Sequence, residues 1–142
     1  MADKAWLFFE VGPVSLAVEA TAVEEILPRG PLTPVPLAPP RIPGVMSFRG
    51  EALPLLDLGV WLSAAGEAPR TVVACRTRSY RVGLLCHRAR GVRAVAADAA
   101  AAPRLAEPAS LRAVALGELE DERGLHVLLD LDALLESTRV RG

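Results

Sequence analysis

Aromatic residues, cysteine, histidine and net charge are all scarce in this sequence, and each scarcity excludes a class of function. Phe, Tyr and Trp make up 4% of the chain, too few for the stacking platforms on which single-stranded nucleic acid lies. Two cysteines cannot build the disulfide framework of a small secreted scaffold. Neither CxxC, HxxxH nor HExxH occurs, and there is no GxSxG elbow or Gly-rich phosphate cradle. Sixteen basic against seventeen acidic side chains give a formal charge of −1, so the surface as a whole is not built for nucleic acid or an anionic membrane. No run approaches the ~18 consecutive apolar residues of a membrane span, so direct membrane insertion is not expected. The opening MADKAWLFFEVG offers only WLFF before Glu10, short of the roughly 7–15 apolar residues of a secretory signal. The cytoplasm is the expected location, with Cys75 and Cys86 as reduced, buried thiols.

What the chain does have is apolar residues, 51% of 142, and on usual surface scaling a chain of this size buries about two-thirds of its surface without metals or disulfides. Their spacing is mostly of period two, or in short solid runs bounded by turn formers, the pattern of strands. WLFFEV (6–11) and VSLAVEA (14–20) flank Gly12-Pro13 as a hairpin; GVMSFRG and ALPLLDL (44–58) form a second extended pair. TVVACRT (71–77) and YRVGLLCH (80–87) turn at Arg78-Ser79, while LRAVALGEL (111–119) and LHVLLDL (125–131) flank EDERG. Residues 28–43 hold seven prolines and are expected to form an ordered surface loop, because each proline removes a ladder donor. Helix is confined to three places. ATAVEEIL (20–27) has helical spacing for one short turn, and Asp57 and Asp130 each end a strand as the N-cap of an apolar turn. ADAAAAP is too short for a stable helix and reads as linker.

LPLLDLGVWL (53–62) and HVLLDLDALL (126–135) echo each other 73 positions apart. The echo predicts an all-β chain folded as two small five-stranded barrels sharing an apolar interface. The expected division is a first barrel over 12–66 and a second over 67–142, with strand 6–11 able to join either, all within one domain spanning 1–142.

Residues with chemical potential are few. His126 alternates into a rim or core-edge position, His87 follows Cys86, and adjacent side chains on a strand face opposite ways. If the hairpin turns at Arg78-Ser79, Cys75 lies opposite Val82, four residues or about 13 Å from Cys86, too far for a disulfide. Asp130 and Asp132 read as an N-cap and a first-turn acid rather than a metal pair. Neither catalysis, metal nor cofactor is expected. Arg76, Arg78, Arg81, Arg88, Arg90 and Arg93 form an acid-free run. With Tyr80 as its only aromatic, it reads as a solvated or protein-facing hairpin, and a nucleic-acid-binding barrel is the remote alternative. Ser47-Phe48-Arg49-Gly50 is placed to project an arginine from a turn, with Glu24 and Glu25 upstream as carboxylates that could pair with it.

Taken together, Val23, Glu25 and Ile26, then Gly44, Val45, Arg49 and Gly50, then Pro54-Leu55-Leu56-Asp57-Leu58 resemble the signature of the CheW-like coupling domain of bacterial chemotaxis. The resemblance runs from about residue 6 to 136. It implies two SH3-like five-stranded barrels and a non-enzymatic scaffold without cofactor. The implied partners are the cytoplasmic tip of a chemoreceptor, the regulatory domain of a chemotaxis histidine kinase and other CheW-like domains. By the same resemblance Val23, Glu25, Ile26, Gly44, Val45, Arg49 and Gly50 belong to the receptor-facing or adjacent surface, with Arg49 in contact or holding that surface in shape. Ser47-Phe48 replaces the family's Asn-Leu, and the proline loop and arginine run are further departures. An adapter that binds receptor but not kinase, in a secondary chemosensory system, is the alternative.

Overall fold

The computed structural model describes residues 3–139. Ten strands run in order β1 (Lys4–Val11), β2 (Val14–Glu19), β3 (Val23–Pro28), β4 (Val45–Phe48), β5 (Glu51–Asp57), β6 (Thr71–Arg76), β7 (Arg81–Cys86), β8 (Arg88–Val95), β9 (Ala115–Asp121) and β10 (Gly124–Leu129). Three short helices, α1 (Leu58–Trp61), α2 (Ala109–Arg112) and α3 (Leu131–Thr138), complete the fold. The strands form two curled five-stranded sheets, ordered β8-β1-β2-β10-β9 and β3-β6-β7-β5-β4, the pair of small barrels expected from the echo.

The sheets divide the chain differently from the 12–66 and 67–142 halves. One barrel is the continuous segment from β3 to β7; the other joins both ends of the chain, β1–β2 with β8–β10. Strand order explains the difference. Aligning β8, β9, β10, β1 and β2 with β3, β4, β5, β6 and β7 superposes the two orders, so the terminal barrel is a circularly permuted copy of the central one. The echo marks equivalent elements, β5–α1 and β10–α3, and each of these strands pairs in parallel, Leu55 with Gly83 and Leu128 with Ala17. Asp57 and Asp130 cap the following helices as expected, accepting from the backbone N–H of Val60 and Ala133 at 3.0 and 3.1 Å.

Alternation then builds three apolar layers. Leu7, Phe9 and Val11 from β1 join Val73 and Cys75 from β6, Leu84 from β7 and Leu129 from β10 in a core shared by both barrels. Their sequence neighbours turn the other way: Trp6 and Phe8 fill the terminal barrel, and Val72 and Ala74 fill the central one. The interface between the barrels is therefore the largest core of the molecule, and neither barrel could leave it without exposing it.

Two local expectations change. ATAVEEIL is a 3-10 turn at Ala20–Ala22 followed by strand β3: pairing with β6 claims Val23 and Ile26, and four residues of helical spacing cannot outweigh a ladder. The arginine run is not one hairpin. Arg88, Arg90 and Arg93 lie on β8, an exposed edge strand paired to β1, whose polar sequence hid it from alternation. The β6–β7 hairpin has the expected register, Cys75 opposite Val82, and both thiols are free and buried. Burial pushes each thiol up to about 12, which keeps them protonated.

Candidate functional site

Arg49 and Gly50 form the two-residue turn between β4 and β5, and both have positive φ, 50° and 78°. That is the type I′ geometry that suits a hairpin's twist, and an arginine rarely occupies it. The turn delivers the guanidinium to β3. Its Nη2 donates to Glu25 Oε1 at 3.1 Å and its Nη1 to Glu24 Oε2 at 3.4 Å. Consecutive carboxylates can reach one arginine because β3 is bulged against β6 at this point: Val23 faces Cys75 and Glu25 faces Ala74, leaving Glu24 as the extra residue.

Arg81 at the start of β7 closes the cluster. Its Nη2 donates to Glu24 Oε2 at 3.1 Å, its Nε stands 2.9 Å from Glu24 Oε1 off the hydrogen-bond axis, and Glu51 lies 3.5 Å from Nη1. Both arginines flank the buried Phe48 ring, with guanidinium carbons 4.8 and 5.9 Å from its centroid. Arg49 is half exposed and Glu24 sheltered, so the outer part of the cluster is available to a partner while the inner part fixes its shape.

Of the seven residues selected from sequence, Glu25, Arg49 and Gly50 meet here, and Val23 and Ile26 flank Glu25 on β3, with Ile26 exposed. Gly44 and Val45 sit at the opposite end of β4. Val45 pairs with Thr33 of the proline loop through reciprocal backbone bonds of 2.8 and 2.9 Å. A Cβ on Gly44 would stand 2.5 Å from the Thr33 carbonyl oxygen, so glycine is required for that close approach. Arg81 and Glu51 escaped sequence reasoning because Arg81 lies 57 positions from Glu24 and only the barrel topology joins them.

The terminal barrel carries a polar chain at the equivalent end. Ser15 Oγ lies 2.6 Å from His126 Nδ1, His126 Nε2 lies 2.9 Å from Asp121 Oδ1, and Asp121 Oδ2 receives Arg93 at 3.1 Å. Neighbouring sequence does not signal this Ser–His–Asp order, which is assembled across β2, β9 and β10. Ser15, the second residue of β2, pairs with Glu10 of β1 and His126 of β10, so the surrounding backbone belongs to two ladders and not to an oxyanion hole. The hydrogen bond from His126 is the main reason the Asp121 carboxyl falls to about 2. Phe8 packs edge-on to His126 and beneath Arg93, 4.4 Å away. Ser15, His126 and Arg93 line an open groove of about 940 Å³ together with Leu105, Ala106 and Glu107. Buried Glu118 holds this last stretch, accepting from the N–H groups of Leu105 and Ala106 at 2.8 and 2.6 Å. Burial alone would raise the Glu118 carboxyl, but these backbone donors and Arg104 bring it below the ordinary range.

His87 joins the barrels: its Nδ1 accepts from Gly12 N–H at 2.9 Å and its Nε2 faces the Glu67 carbonyl at 2.7 Å. Arg90 pairs with Glu10 at 2.7 Å, so Arg81, Arg90 and Arg93 of the basic run each answer a carboxylate. No cluster of His, Cys, Asp and Glu suited to a metal ion occurs among the described residues, and no described helix is long and apolar enough to cross a membrane.

Comparison with known proteins agrees with this architecture. The family model for the CheW-like domain matches residues 5–139. Protein FrzA of Myxococcus xanthus is 34% identical over 98% of this chain and 89% of its own. Chemotaxis protein CheW of Rhizobium meliloti is 31% identical over 91% of this chain and 85% of its own. The same-named protein of Thermotoga maritima is 23% identical over 95% and 89%. Among solved structures, the scaffolding protein TtCheW from Thermoanaerobacter tengcongensis matches in fold with a TM-score of 0.78 at 15% identity, covering 91% of this chain and 90% of that one. The chain belongs to the CheW-like domain family, whose members are non-enzymatic adapters of chemotaxis-type signalling.

Proposed function

We propose that this adapter couples the cytoplasmic tip of a chemoreceptor to the regulatory domain of a histidine kinase, within a cytoplasmic chemosensory array. The receptor tip docks as an amphipathic helix against the face carrying Val23, Glu25, Ile26, Arg49 and Gly50, with Gly44 and Val45 shaping the adjoining loop. The observation that carries this reading is the Arg49–Glu25–Glu24–Arg81 cluster over Phe48. It offers a partner a half-exposed arginine and acid whose positions are already set, beside the exposed Ile26. Coupling needs no bond chemistry. The adapter biases the kinase only by contacting its on and off states differently.

Receptor-tip affinity tests the assignment. Arg49→Ala and Glu25→Ala are each expected to weaken binding by about 1–3 kcal/mol, roughly 5- to 150-fold, as central contacts do. Stability should change by less than about 1 kcal/mol, because the Arg49–Glu25 pair is partly exposed. Unchanged receptor affinity for both folded variants would move the docking face elsewhere.

A further inference from the structure

The open groove of about 940 Å³ lies wholly on the terminal barrel and its 105–111 stretch, apart from the Arg49 cluster. Phe8, Val14, Val92, Leu105, Leu125 and Val127 give it an apolar lining. Two of these, Val92 and Leu105, are large side chains left 60% and 45% exposed. The size falls within the roughly 300–1,000 Å³ of small-molecule sites. The groove is also built to keep its shape. Buried Glu118 ties down the N–H groups of Leu105 and Ala106, and Arg112 Nη1 donates to the Ala106 carbonyl at 2.8 Å. A carboxylate only 4% exposed carries a desolvation cost that a loose connection would not require.

The charged and polar groups along the groove account for one another, with a single exception. His126 Nε2 faces the Asp121 carboxylate and so carries the proton, which leaves Nδ1 to accept from the Ser15 hydroxyl. Arg93 pairs with the same Asp121, Arg90 with Glu10, and Glu107 lies 4.0 Å from Arg112. Arg123, in the β9–β10 turn, answers no carboxylate among the described residues. Its backbone N–H donates to Asp121 Oδ1 at 2.8 Å and anchors the turn, while its exposed side chain lines the groove. An apolar cavity with one uncompensated guanidinium suits a ligand with one negative charge on an apolar body. A carboxylate meets a guanidinium through two parallel N–H bonds. A phosphate monoester would bring a second charge, and the other arginines lining the groove are already paired.

We propose that this groove binds a small organic acid, a single carboxylate on an aliphatic or aromatic body. The carboxylate sits on Arg123, and the body covers the exposed Val92 and Leu105 and packs against Leu125. Because the groove is held open in advance, little of the binding energy goes to ordering it. This inference stands on the groove alone and is independent of receptor or kinase binding.

Octanoate titrated into the purified full chain, followed through backbone amide NMR signals, tests it. Dissociation in the range of about 10 µM to 1 mM is expected for a ligand of this size, with shifts concentrated at Val92, Leu105, Arg123 and Leu125. Acetate lacks the apolar body and octylammonium reverses the charge; each should bind at least about 10-fold more weakly. Arg123→Gln should weaken octanoate binding at least about 5-fold. That variant should melt with the wild type, because the side chain it alters is exposed. No octanoate binding up to about 5 mM, shifts confined to other parts of the molecule, acetate or octylammonium binding as well as octanoate, or indifference to Arg123→Gln would each overturn the proposal.

Discussion

Asp121 shows most directly how a single side chain depends on the fold. Its hydrogen bond from His126 and its contacts with Arg123 N–H and Arg93 bring it to about 2, against about 3.9 for an unfolded aspartate. A carboxyl depressed in the folded state contributes stability that is complete above about pH 4 and lost as pH falls towards 2. Chemical denaturation midpoints across pH 2–5 should therefore fall less steeply with acid in Asp121→Asn than in wild type; parallel curves would show that this carboxyl is not linked to folding. At this scale the sequence was legible where partners are close along the chain, and beyond that in the pairing of Arg49 with Glu24 and Glu25. Asp57 and Asp130 were readable as caps because the N–H groups they satisfy lie three residues on. The Arg81–Glu24 and Ser15–His126 contacts join positions 57 and 111 apart; no local pattern encodes them.

Elements were legible where burial writes an apolar run into them. The β1–β2 and β6–β7 hairpins show as short solid apolar runs because both of their faces are buried, one in the shared core and the other in each barrel's own. Strand β3 was misread because a bulge at Glu24 breaks its alternation, and β8 because nearly its whole length is exposed. The permuted repeat gives these elements a further test. Gly83 of β7 and Ala17 of β2 occupy equivalent places, each paired in parallel with a leucine. A Cβ at Gly83 would overlap Leu55 Cδ2 and stand 2.8 Å from Val72 Cγ1 and 3.1 Å from Leu53 Cδ2. Gly83→Ala should accordingly destabilise by about 1–3 kcal/mol through overpacking, although alanine is otherwise the better strand residue. A neutral or stabilising result in denaturant titration would mean that the central barrel's core yields more readily than its close contacts imply.

For the whole molecule, the echo between LPLLDL and HVLLDL correctly indicated two similar barrels and an apolar interface. It did not reveal that the second barrel takes its first hairpin from the other end of the chain, because a permuted repeat and a tandem repeat leave the same single echo. That permutation gathers β1–β2 and β8–β10 into one barrel and leaves the signature turn on the other, so each barrel can meet a different partner while Leu7, Phe9, Val73 and Leu84 keep the two in fixed relation. This rigid relation is what an adapter requires: a partner bound to one barrel can bias a partner bound to the other only if the link between them does not slacken. The most direct measurement of that claim titrates the wild-type chain, and Arg49→Ala beside it, with a receptor signalling-tip fragment and separately with the regulatory domain of the cognate kinase. The coupling account predicts that wild type binds both, and that Arg49→Ala binds the receptor roughly 5- to 150-fold more weakly while keeping the kinase. Binding to the receptor alone would make the protein a one-sided adapter and contradict coupling, and failure to bind the receptor tip would contradict the assignment of the Arg49 face itself.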